Sequence, residues 1–201
     1  MNFTRPIRER PTPNLLRDQL DEASGKHLGF HIRKGQWNAS QLLLNRCVIE
    51  MPTGEGKTVT TLLAAASLAA SGHKVLVATA NDYLASRDAE WMSPLYQWVG
   101  LSVSSVSTTT PQTERATIYS GDVVYGTLRE FAFDFLRQSL ANRQRLQTNR
   151  EQTSQFDFPL DVLIMDEADS ILIDEARTPM IITAPIVDIN NARESCYRWA
   201  S

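Results

Sequence analysis

The chain has little cysteine. Cys47 and Cys196 are the only two in 201 residues, far apart and without Cys-x-x-Cys spacing. A disulfide framework and a structural zinc site are therefore not indicated, and a reducing compartment is the default. Glycine and proline are modest at nine each, which excludes collagen-like and low-complexity chains. Long apolar runs are missing as well. The greasiest stretch, Leu62 to Ala70, is alanine-rich and stops at Ser71-Gly72, well short of the ~20 residues needed to span a bilayer. Residues Met1 to Leu20 hold four arginines and three prolines but no apolar run of signal-peptide length. Charge of one sign is lacking too: 20 basic against 23 acidic residues leave −3, with no overall pull toward nucleic acid. What remains is 42% hydrophobic and 21% charged, the composition of a folded domain that can bury a core.

From Cys47 onward short β-rich runs alternate with longer helical ones, the pattern of parallel strands joined by crossover helices. The expected strands are Cys47–Met51, Val75–Ala80, Leu101–Val106, Val123–Tyr125, Val162–Met165 and Met180–Thr183. Several lack strict alternation, as strands covered on both faces do. Lys57–Ser71, Asp82–Val99, Pro111–Tyr119 and Leu128–Leu140 are expected as helices. Asn81 or Asp82 would be an N-cap, and Gly72 and Gly100 stand where helices stop. Before residue 30 the chain reads as irregular and then helical around Leu15–Ala23. The polar stretch from Ala141 to Phe156, with Arg143, Arg145 and Arg150, reads as a helix end followed by a surface loop.

Directly after the first expected strand comes Met51-Pro52-Thr53-Gly54-Glu55-Gly56-Lys57-Thr58, leading into a helix. Glycines at 54 and 56 let the backbone curl so that successive N–H groups converge, and the helix start adds unsatisfied donors and a positive dipole end. A polyphosphate fits such a nest. The expected nucleotide contacts are Thr53, Gly54, Glu55, Gly56, Lys57 and Thr58, with Lys57 reaching the β- and γ-phosphates and the Thr58 hydroxyl on Mg2+. Met51 occupies the place of the first glycine of the general form, so the loop is a variant.

An ATPase of this kind also needs carboxylates facing the loop. Val162-Leu163-Ile164-Met165 drives a strand into the sheet and delivers Asp166-Glu167-Ala168-Asp169 at its carboxyl end, where open α/β sheets gather ligands. Asp166 is expected on the Mg2+, and Glu167 on the water that attacks the γ-phosphate.

These motifs resemble one family, SecA, the ATP-driven motor of bacterial preprotein translocation. Thr53-Gly-Glu-Gly-Lys-Thr58 looks like its phosphate loop. Thr79-Ala-Asn-Asp-Tyr-Leu-Ala-Ser-Arg-Asp-Ala-Glu90 and Gly121-Asp-Val-Val-Tyr-Gly-Thr127, followed by Phe133-Asp-Phe-Leu-Arg137, are similar to its next blocks. Asp166-Glu-Ala-Asp-Ser-Ile-Leu-Ile-Asp-Glu-Ala-Arg-Thr-Pro179 is an extended signature that ordinary RNA helicases do not carry. The resemblance covers roughly residues 30 to 185. It implies a RecA-like P-loop NTPase with a parallel sheet and flanking helices. Gln36 falls where the family places the glutamine that reads the adenine base, and an amide can donate and accept toward that edge. Gln41 is a second candidate, with spacing favouring Gln36. Three departures suggest a divergent member. Ile32-Arg33-Lys34-Gly35-Gln36 stands where Arg-Pro-Phe-Asp-Val-Gln is usual, Pro52 replaces an arginine, and Leu128-Arg129 replaces two asparagines.

The resemblance implies ATP and Mg2+ as cofactors. Preproteins and a membrane translocation channel are the implied partners, and the cytoplasm, or the inner face of the cytoplasmic membrane, is the implied location. Nucleic acid is not an expected partner. The expected division is an N-terminal irregular or helical segment, 1–29, the first part of a SecA-like nucleotide-binding domain, 30–185, and the start of a truncated preprotein-binding region or a tail, 186–201. The family closes its ATP site with a second motor domain that supplies arginines, which this chain is not expected to contain. Hydrolysis is therefore expected to need that second domain. A DEAD-type helicase fragment and a non-catalytic nucleotide-binding module are the competing readings.

Overall fold

The computed structural model describes residues 13–148, 158, 159, 161–174 and 179–181. Four parallel strands form one sheet in the order β2-β3-β1-β4, with β1 at Val75–Thr79, β2 at Val103–Ser105, β3 at Val123–Thr127 and β4 at Val162–Met165. Helices α1 (Pro13–His27), α2 (Lys34–Leu43) and α3 (Lys57–Ala70) precede β1. Then α4 (Asp82–Trp98), α5 (Gln112–Tyr119) and α6 (Leu128–Thr148) make the crossovers. This is the expected α/β architecture of a parallel sheet with flanking helices.

β1 is central and buried along its whole length. Its alternate side chains feed two cores: Val75 and Val77 pack with α1, α3 and α4, while Leu76 and Ala78 pack with Val106, Tyr119, Phe131 and Phe158. The second core explains the glycine of Tyr125-Gly126-Thr127, because a Cβ at Gly126 would stand 2.8 Å from Val106 Cγ1 and 2.9 Å from the Phe131 ring. Asn81 is the N-cap of α4, accepting the Leu84 N–H at 2.9 Å. Asp82 accepts from the Thr108 N–H and hydroxyl instead. Gly72 and Gly100 take positive φ after α3 and α4, as expected of helix stops.

Other boundaries differ. β2 is shorter than Leu101–Val106, β3 runs on to Thr127, and α6 continues past Leu140 to Thr148. Cys47–Met51 is not a strand: it joins no ladder among the described residues, and Val48 is 94% exposed. A parallel strand takes its hydrogen bonds from neighbours, so an apolar run without one stays single. Met180 and Ile181 are exposed and join no ladder among the described residues, and the rest of the run to Thr183 lies outside them. The expected loop before Phe156 also lies outside them. The segment before residue 30 is more than a trimming, since Leu16, Leu20 and Ala23 of α1 sit in the larger core. No described helix is long and apolar enough to cross a membrane.

Candidate functional site

The phosphate loop lies between the extended residues after Cys47 and the first turn of α3. Gly54 and Gly56 adopt φ of 87° and 85°, the left-handed region that glycine enters without a Cβ penalty. Gly56 is the N-cap of α3, its carbonyl accepting the Thr60 N–H at 3.1 Å and the Thr60 hydroxyl at 3.3 Å. Thr53, Gly54 and Glu55 are exposed, Lys57 is the first residue of the helix and exposed, and Thr58 is half-buried behind it. Loop amides, the helix start and a lysine are thus gathered at one point.

Gln36 holds this loop from the side. It is 7% exposed in the first turn of α2, where its Oε1 accepts the Arg33 N–H at 3.0 Å and its Nε2 donates to the Glu55 carbonyl at 2.9 Å. A Cβ on Gly56 would collide with that amide nitrogen, so Gly56 is demanded by room as well as by φ. One N–H and one lone pair of Gln36 remain for a base edge. The Nε2 of Gln41, the second candidate, is buried without a hydrogen-bond partner among the described residues and does not join the loop. Arg33 also reaches the loop, its Nη1 3.1 Å from Glu55 Oε2. Both side chains are more than half exposed (65% and 54%). A pair this exposed adds at most about 1 kcal/mol to stability.

α2 was not an expected element, and α1 explains its position. Asp21 of α1 accepts the Ile32 N–H at 2.6 Å and faces His31 Nδ1 at 3.1 Å, fixing the chain just before α2. The Arg17 guanidinium lies 5.9 Å from the Trp37 ring centroid, and Trp37 joins the core.

Asp166 follows β4, and its N–H extends the ladder by one bond to the Ala78 carbonyl at 2.8 Å. Burial pushes its carboxyl above the usual carboxylate range, and the nearby Glu167 and Asp88 carboxylates push the same way. The Glu167 N–H, donating to Asp166 Oδ1 at 3.0 Å, and the Lys57 ammonium oppose them. Glu167 is exposed, with φ of 56°. Its carbonyl accepts the Ile171 N–H at 3.2 Å, leading into one π-helical turn, Ser170–Asp174.

Asp88 is a neighbour that sequence reasoning did not single out. It is 3% exposed in α4, and its Oδ1 accepts from Nε and Nη2 of Arg87 at 2.8 and 2.6 Å. Its charge raises Asp166 and also Tyr125, whose hydroxyl lies 3.0 Å from that of Tyr96 in the core. Burial holds both phenols far above their ordinary value, so they remain neutral packing groups. Arg87-Asp88 was visible inside the Thr79–Glu90 block, but only the packing of α4 on the sheet shows that the carboxylate is buried beside Asp166.

The donor set suits Mg2+, which is held by few protein oxygens, with phosphate and water completing its shell. Thr58 offers a hydroxyl. Asp166 offers a carboxylate at the carboxyl end of β4. No cluster of three or more His, Cys, Asp or Glu side chains gathers among the described residues, and an ion held in this way needs none.

The sequence model of the SecA DEAD-like domain matches residues 16–201. The protein translocase subunit SecA of Brachyspira hyodysenteriae is 50% identical over 165 residues, which are 82% of this chain and 16% of the relative. That of Ralstonia nicotianae is 49% identical over 143 residues, 70% of this chain and 14% of the relative. That of Alcanivorax borkumensis is 44% identical over 167 residues, 83% of this chain and 18% of the relative. The chain therefore spans less than a fifth of the length of these relatives.

Proposed function

This chain belongs to the SecA DEAD-like family, and from that premise we propose that it forms the MgATP-binding half of a motor that drives preproteins through a membrane channel. The observation that carries the reading is the loop Thr53–Thr58 before α3, with Gly54 and Gly56 left-handed and Gln36 bonded to its backbone, together with Asp166 at the carboxyl end of β4. Far apart in sequence, the two segments are both tied to β1, since α3 shares its core and β4 pairs with it.

In this reading the loop amides of Gly54 to Thr58 and the dipole end of α3 bind the phosphates, and Lys57 places a positive charge on the β- and γ-groups. Thr58 and Asp166 would hold Mg2+, whose charge would offset that developing on the phosphoryl oxygens. Glu167 orients the attacking water and accepts its proton, and its exposed position at the turn leaves it open to solvent. Gln36 reads the adenine edge while staying bonded to the loop. The transition-state arginine comes from a second motor domain, a contribution worth on the order of 10³–10⁵ in rate in related phosphoryl transfers. The preprotein substrates, the channel and a location at the cytoplasmic face of the membrane come with this reading.

Binding of a fluorescent ATP analogue with Mg2+ tests the site. Lys57→Ala should abolish binding, whereas Glu167→Gln should bind as tightly as the unmodified chain and lose whatever turnover a supplied second motor domain elicits. Binding that survives Lys57→Ala would remove the site assignment.

A further inference from the structure

A carboxylate inside a phosphate loop works against its ligand. Glu55 lies between Gly54 and Gly56 and carries a negative charge to the place where a polyphosphate, itself several charges negative, must settle. The structure shows what counters it. Arg33 Nη1 stands 3.1 Å from Glu55 Oε2. The ends of this pair are anchored from both sides. The Arg33 N–H is held by Gln36 Oε1 at 3.0 Å and the Arg33 carbonyl by the Trp37 N–H at 3.1 Å. The Glu55 carbonyl is held by Gln36 Nε2 at 2.9 Å. Gln36 is thus bonded to the backbones of both members of the ion pair. Such an exposed pair contributes little to folding, yet the backbone on both sides is fixed so that it forms.

We propose that Arg33 is a positioning residue for the nucleotide, acting through Glu55: it neutralises the loop carboxylate and holds it against α2, so that the loop presents its amides and Lys57 without an opposing charge. This rests on the phosphate loop being the nucleotide site. An arginine suits the task because its guanidinium stays charged at every physiological pH and keeps further donors after engaging one carboxylate oxygen. Once Arg33 is removed, Glu55 is released as an unpaired anion beside the phosphates. The penalty is electrostatic, so added salt must screen it, the Debye length falling from about 10 Å at 0.1 M to about 3 Å at 1 M.

The test is a double-mutant cycle on the full chain, read as affinity for a fluorescent ATP analogue with Mg2+. At low salt Arg33→Ala should bind roughly three- to tenfold more weakly than the unmodified chain, the scale of one exposed charge interaction. Glu55→Gln should bind more tightly than the unmodified chain. The combined variant should match Glu55→Gln to within about twofold, because the cycle isolates the pairwise term. Arg33→Lys should keep most of the affinity, and the Arg33→Ala deficit should fade as salt is raised. Melting temperatures without nucleotide should stay within about 2 °C of one another, as for any exposed pair worth well under 1 kcal/mol.

Normal affinity of Arg33→Ala at low salt would overturn the inference. So would a deficit of the same size in the Glu55→Gln background, since Arg33 would then touch the nucleotide itself, and so would a large drop in melting temperature, which would make its role structural. The failure of the wider reading looks different: the unmodified chain would not bind the analogue at all.

Discussion

The two halves of the candidate site, the phosphate loop before α3 and the acidic turn after β4, are built in opposite ways. In the loop the left-handed positions belong to Gly54 and Gly56, which enter that region without a steric penalty. The neighbouring helix then holds the loop by a buried amide. In the acidic turn the left-handed position belongs to Glu167, a residue with a Cβ, at a cost of about 1–2 kcal/mol. The adjoining Asp166 is kept by burial above the usual carboxylate range. The binding half is relaxed and supported from outside. The half assigned to magnesium and water stores strain and unfavourable charge, as sites whose geometry is over-determined by their surroundings do.

The largest effect that could break this contrast is expected at Gly56. Gly56→Ala would put a Cβ into the Gln36 amide and force a left-handed alanine, so MgATP affinity should fall by about 10²-fold and stability by about 2 kcal/mol. Titration calorimetry and denaturant unfolding measure the two, and an alanine variant that binds normally would mean the loop does not depend on its glycine.

Next comes Gln36→Ala, which leaves the Arg33 N–H and the Glu55 carbonyl without their shared partner. A loss of about 1–2 kcal/mol is expected in denaturant unfolding, together with faster amide exchange at Arg33. Unchanged stability and exchange would show that the loop stands without α2.

The strain in the acidic turn has its own signature. Glu167→Gly should stabilise the nucleotide-free chain by about 0.5–1 kcal/mol, part of the relieved strain being returned as glycine's larger unfolded entropy. Glu167→Gln keeps the Cβ and should leave stability unchanged. If both variants melt with the parent chain, the turn is not strained.

The smallest effect concerns Asp166. Because its folded pKa is raised, the protonated form favours folding, and that contribution is lost as pH rises through the folded value. Asp166→Asn should therefore melt higher than the parent at pH 7 without nucleotide, and the advantage should vanish at acidic pH. The same variant should lose the extra stability that Mg2+ adds in the presence of ATP. An advantage independent of pH would point to packing in place of charge.

Much of this protein was legible residue by residue. Val75–Ala80 reads as a strand buried on both faces because it is apolar without alternation, and Val75–Thr79 of it is one. Asn81, Gly72 and Gly100 mark helix ends by local chemistry, and each does so in the structure. The loop Thr53–Thr58 and the turn Asp166-Glu167 were recognisable because their residue types carry their chemistry. Other features were hidden. Cys47–Met51 has the composition of a strand but pairs with no strand among the described residues, and α2 was hidden in a short polar stretch whose position depends on Asp21 of α1.

The sequence by itself determined the parts that close within a few residues: which runs can be strands, where helices start, which glycines let the backbone turn, and which side chains are candidates for phosphate or magnesium. Only the tertiary structure decided the parts that need two distant segments. Those are the pairing of Gln36 and Arg33 with Glu55, the burial of Asp88, and the absence of a ladder partner for Cys47–Met51 among the described residues. The reason is physical. Backbone preference acts over a turn of chain, whereas ladder hydrogen bonds, desolvation and charge pairing exist only once packing has brought their partners together.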